Sequence, residues 1–98
     1  MATRIRWFTA DGDYLQTAIV TSLPAGHRAL IGAVFSAREP VPGTIVHARN
    51  RWWRVCRIAG YTQLLPMQPT SPAVVGLYSK AVQAERAEAA RHALCCSE

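Results

Sequence analysis

No stretch of this sequence is apolar for long enough to cross a bilayer. Apolar stretches are short, such as Ala18 to Val20 and Ala29 to Phe35, the second interrupted by Gly32, whereas a spanning helix needs roughly 20 residues. The start, Met1-Ala2-Thr3-Arg4-Ile5-Arg6-Trp7, is charged and leads into no apolar core with a cleavage site, so no secretory signal is read and the expected location is the cytoplasm. Cysteine is scarce and odd in number, at Cys56, Cys95 and Cys96. That count suits a disulfide framework poorly, the adjacent terminal pair would strain any bridge between them, and no Cys-x-x-Cys or Cys/His spacing fits zinc. Cys56 reads as a small core residue.

Catalytic signatures are also missing. The six carboxylates are scattered, and Asp11 and Asp13 are explained by the turn they flank. Glycines never cluster into a phosphate loop, and no Gly-x-Ser-x-Gly elbow occurs. His27, His47 and His92 fall on three different expected elements, none beside a positioned partner. The chain is therefore read as a non-enzyme with no metal, cofactor or small-molecule substrate. A small barrel ribonuclease using His47 with Arg49 or Arg51 is the minor catalytic alternative.

What the sequence does have is apolar material and arginine. Half of its 98 residues are hydrophobic, enough for one core and one domain. Ten of its eleven basic residues are arginine. Residues 1–70 hold eight of them against Asp11, Asp13 and Glu39, while residues 71–98 are balanced, so the net charge of +5 belongs to the first part. Such a surface attracts nucleic acid or acidic protein; the bland alternative is that it serves only solubility.

Alternation of Ile5 and Trp7 with Arg4 and Arg6 predicts a strand over 3–8. Asp11-Gly12 predicts a two-residue type I′ turn, with Tyr14 to Leu23 as the return strand and a helix as the rival reading there. Pro24-Ala25-Gly26 breaks the chain, and Arg28 to Ala37 reads as another strand with Gly32 at a bulge. After the rigid Glu39-Pro40-Val41-Pro42-Gly43 loop, Thr44–Ala48 and Arg51–Ile58 form a hairpin about Arg49-Asn50. Ala59-Gly60 turns into a short strand, Tyr61–Leu65. Pro66, Pro69 and Pro72 mark a loop, with Ser71 or Ser79 as a candidate cap. A helix runs from about Ser79 to Leu94 on alanine, glutamate and arginine. The domain thus divides into a β-hairpin core, 1–70, and a proline-led helical part, 71–98.

The hairpin Arg49-Asn50-Arg51-Trp52-Trp53-Arg54-Val55-Cys56-Arg57 is the strongest functional candidate: four arginines and two tryptophans with no acid. Guanidinium forks match phosphates, and a tryptophan face can stack a base. Adjacent strand residues face opposite sides, so at least one of Trp52 and Trp53 belongs to the core. Arg4 and Arg6 are expected to join the same basic face. The candidate binding residues are therefore Arg49, Arg51, Trp52, Arg54, Arg57, Arg4 and Arg6, with no catalytic residue assigned.

The run from Val41-Pro42-Gly43-Thr44-Ile45-Val46-His47 to Arg51-Trp52-Trp53-Arg54-Val55-Cys56-Arg57-Ile58 resembles the strand-turn-strand of SH3-like barrels. In size and arginine-rich character the chain also resembles small phage and mobile-element proteins, including anti-CRISPR inhibitors. That likeness implies binding that blocks a host complex. The expectation is an α+β fold, a small antiparallel sheet or SH3-like barrel of about five strands with a C-terminal helix. The expected function is binding nucleic acid or a ribonucleoprotein, the alternative being inhibition of a host defence complex by protein–protein contact. Exposed strand edges leave the oligomeric state open.

Overall fold

The computed structural model describes residues 2–21 and 26–96, the last four of them by backbone alone. The element order is β1 (Thr3–Phe8), β2 (Tyr14–Val20), α1 (His27–Ala37), β3 (Ile45–Ala48), β4 (Arg51–Ile58), β5 (Tyr61–Met67) and α2 (Leu77–Cys96). The strands form one antiparallel sheet in the order β2-β1-β3-β4-β5. The fold is α+β with a C-terminal helix, as the sequence predicts. The sheet stays open, with β2 and β5 as its edges, so it does not close into a barrel.

Both faces of the sheet are covered, by a helix each, and this explains the side-chain pattern. Ile5, Trp7, Val46, Ala48, Trp53, Val55 and Leu64 pack with Leu30 and Val34 of α1. Phe8 and Ile45, pointing the other way, pack with Val74 just before α2 and with Leu77 and Ala81 at its start, flanked by Tyr14, Trp52 and Met67. All four residues of the central strand β3 are therefore buried, while β4, nearer the edge, alternates. The two tryptophans divide as strand geometry requires, Trp53 buried beneath α1 and Trp52 half-buried on the α2 side.

Five local expectations are corrected. Residues 28–37 form a helix and not a strand, because Leu30, Ile31, Val34 and Phe35 follow helical spacing and put one apolar stripe on the sheet. Gly32 lies on the exposed outer side of that helix, where it marks no bulge. The Asp11-Gly12 turn is wider than a two-residue loop: the Gly12 N–H donates to Thr9 O (2.9 Å), the Thr9 N–H to Asp13 O (2.8 Å), and Gly12 alone of the pair has positive φ. β5 runs through Pro66, which an edge strand tolerates. α2 begins at Leu77, after Gly76 turns the chain at φ 84. The part of the β2 expectation beyond Thr21 lies outside the described residues.

The Arg49-Asn50 turn is as expected. Both residues have positive φ (53 and 60), the type I′ geometry whose twist matches the flanking strands. Ala59-Gly60 repeats it between β4 and β5, at φ 50 and 82.

Candidate functional site

The β3–β4 turn lies at the end of the sheet where β1 begins and β2 ends, because Arg6 pairs with His47 and Thr3 with Val20. α1 starts at the same end, and its first residues meet the hairpin. His27 lies against Trp53 with ring centroids 5.3 Å apart, and Arg49 Nη1 donates to Gly26 O at 3.1 Å. Between them opens a cleft of about 400 Å³, lined by Gly26, His27, Leu30, Arg49, Arg51 and Trp53. Arg51 opens β4 on the face of Trp53 and is exposed. Among the described residues no side chain caps α1, and its first turn holds no acid. Its first N–H groups and positive dipole end lie at this cleft, whose described walls hold no carboxylate. Arg28, also exposed, follows within the same turn.

The seven residues singled out in the sequence do not share one surface. Arg49 and Arg51 come together at the turn. Arg57 is exposed at the opposite end of β4, next to the Ala59-Gly60 turn. Trp52 and Arg54 point to the α2 face. Trp52 lies against Phe8 (5.5 Å) and His47 (4.5 Å), and Arg54 is half-buried with its Nε shielded from solvent. Arg4 and Arg6 lie on that face too, under α2.

Arg6 is engaged internally. It is only 7% exposed on a central strand, where an unpaired guanidinium would be costly. Glu85 reaches down from α2 and accepts from Arg6 Nε at 2.8 Å and Nη2 at 3.4 Å. The Thr17 hydroxyl donates to the same carboxylate at 2.6 Å, which leaves the Tyr14 hydroxyl, 2.6 Å from Thr17 Oγ1, as donor to threonine. Exposed Arg4 adds a longer contact of 3.7 Å to Glu85. The Arg6 hydrogen bond holds the Glu85 carboxyl below its ordinary value, and Glu85 raises Arg6 in return. Arg6 also lies 5.0 Å from the centre of the Tyr78 ring.

His47 belongs to this second cluster. It is buried between Trp52 and Tyr78. Burial, then the charge of Arg6, pushes its pKa down. Strand alternation puts it on the opposite face from Arg51, so the two do not form the pair a ribonuclease reading would use.

What sequence reasoning missed is the contribution of α1. With residues 28–37 read as a strand, no helix N-terminus was available to meet the hairpin, and His27 had no assigned neighbour. Gly26 ahead of the spacing Leu30, Ile31, Val34, Phe35 was the available signal.

These features define an open five-stranded antiparallel sheet with a helix on each face and a basic cleft at one end. Compared with protein-family models, curated proteins and solved structures, the chain matches none of them. Among the described residues, no helix is long and apolar enough to cross a membrane.

Proposed function

We propose that the chain is a non-enzymatic binding module for the phosphate backbone of nucleic acid, free or within a ribonucleoprotein, and that contact is made at the β3–β4 turn. One observation carries the reading: Arg49, Arg51 and the start of α1 line one cleft that, among the described residues, has no carboxylate in its walls. Asp11 and Asp13 lie in the β1–β2 turn at the opposite end of the sheet, where they offset Arg57. Charge is thus graded along the strands, and an approaching polyanion meets the hairpin end first.

Guanidinium forks and backbone N–H groups both suit phosphate oxygens. Arg28 extends the contact along the first turn of α1. Arg6 takes no part, since it is buried on the α2 face and paired with Glu85. The test is fluorescence anisotropy with labelled single- and double-stranded oligonucleotides. The expected result is binding that weakens when Arg49→Ala and Arg51→Ala are combined and is unchanged by Arg57→Ala. A wild-type chain that binds no oligonucleotide at low salt contradicts the reading.

A further inference from the structure

The chain carries no charged residue from Ile58 to Ser79, a span of 22 residues in a protein otherwise rich in arginine. That span includes β5, an edge of the open sheet. Ile58, Tyr61 and Leu65, exposed by 42%, 72% and 37%, lie on one face of the β4–β5 hairpin beyond the cover of α2. An edge that carries no charge and, among the described residues, pairs with β4 on one side only is a template for another strand.

The hydrogen-bonding directions of β5 follow from the ladder. The Val55 N–H donates to Thr44 O, so Val55 turns its backbone towards β3, and Arg54, Cys56 and Ile58 turn theirs towards β5. Their partners Leu65, Gln63 and Tyr61 are thereby engaged. Thr62, Leu64 and Pro66 direct their backbone groups outward. Pro66 has no N–H, so a strand added here finds complete donor–acceptor sets at Thr62 and Leu64 alone.

We propose that a second copy of this chain pairs antiparallel with β5 about a two-fold axis at Gln63, making one continuous sheet of ten strands. In this register Thr62 of each copy faces Leu64 of the other, and each exposes both donor and acceptor. Pro66 falls opposite Gly60 at the turn, where its missing donor is not needed in the ladder. Sliding one pair so that Leu64 faces Leu64 would set Thr62 against Pro66 and forfeit two donors. Tyr61 of one copy stands directly opposite Leu65 of the other, so the exposed apolar residues cover each other in two symmetric pairs flanking Gln63. No like charges are brought together along the strand, whereas the arginine-bearing hairpin end would repel its own copy.

The other edge is less suited. Exposed Leu15 and Ile19 of β2 line a groove of about 560 Å³ with Arg4, Glu88 and His92, over which α2 projects. An added strand at β2 would meet that helix. The β5 proposal is independent of the nucleic-acid reading, because it uses none of the residues of the basic cleft.

Sedimentation equilibrium of the whole chain over a concentration series tests it. A reversible monomer–dimer equilibrium is expected. Thr62→Pro removes one outward donor and leaves the β4–β5 ladder intact, so it weakens the dimer by about tenfold or more, and Tyr61→Lys with Leu65→Lys does the same by charge. Leu15→Lys on β2 has no effect. Gln63→Cys, with Cys56, Cys95 and Cys96 changed to serine, forms a disulfide-linked dimer on air oxidation, since facing residues of a non-hydrogen-bonded pair are about 4.5 Å apart at Cα. A wild type that stays monomeric to its solubility limit overturns the proposal. So does a dimer that survives both the proline and the lysine variants, or a folded Gln63→Cys chain that fails to cross-link.

Discussion

Arg6 and His47 face each other across adjacent central strands, and their neighbourhood sets how the molecule responds to acid. His47 is favoured neutral in the folded chain because burial and Arg6 both oppose a second positive charge. The unfolded chain therefore binds the proton more readily than the folded one, and stability falls as pH drops below about 6.5, the ordinary histidine value. Glu85 has the same sign lower down: its folded value lies below the ordinary 4.5, so its contribution is complete above that value and is lost as pH falls through the depressed one. Urea midpoints measured from pH 8 to 4 should fall in wild type starting near neutrality. His47→Phe should abolish the part of the decline that sets in near neutrality and keep the acidic part. Identical pH profiles would show that His47 titrates without cost to the fold.

At the scale of elements, the two helices are held by different means. α1 is held by Leu30 and Val34 over the sheet, and its glycine is only a weakness. Gly32 has open space around it, and its φ is outside the left-handed region. Gly32→Ala should raise unfolding free energy by about 0.5–1 kcal/mol in chemical denaturation; a loss would mean that the segment is not helical in solution. α2 has a short apolar anchor at Leu77 and Ala81 and then depends on Glu85. From Arg86 to His92 its side chains are exposed. Glu85→Ala leaves the guanidinium of Arg6 buried without its partner and should cost about 3 kcal/mol, whereas Glu88→Ala, one turn further on, should stay within about 0.5 kcal/mol. Equal effects would dissociate α2 from the Arg6 network.

The elements that could be read from sequence were those whose signal is local. Period-two alternation marked β1 and β4, left-handed-tolerant turn residues marked Arg49-Asn50, and alanine with glutamate marked α2. α1 was lost because an apolar run of that length satisfies both periods, with Gly32 readable as a bulge. The candidate site was legible in half. The hairpin arginines were visible as a cluster, but the strand period spreads Arg51, Arg54 and Arg57 over two faces and both ends. Nothing local tells Arg6 that a carboxylate 79 residues later will claim it. Pairings at that separation come from packing and not from spacing.

For the whole molecule, a helix covers the middle of each sheet face, and the edges and ends stay open to partners. One end collects Arg49, Arg51 and the start of α1; at the other, Asp11 and Asp13 offset Arg57. The central claim is that this gradient is a phosphate-binding device, and the salt dependence of oligonucleotide affinity tests it most directly. The logarithm of the association constant should fall linearly with the logarithm of salt concentration. Combining Arg49→Ala with Arg51→Ala should reduce the slope by about 1.4 on a single strand, at about 0.7 per lost phosphate contact, and Arg57→Ala should leave it unchanged. A slope that is flat in wild type, or that is the same in wild type and the double variant, contradicts the account.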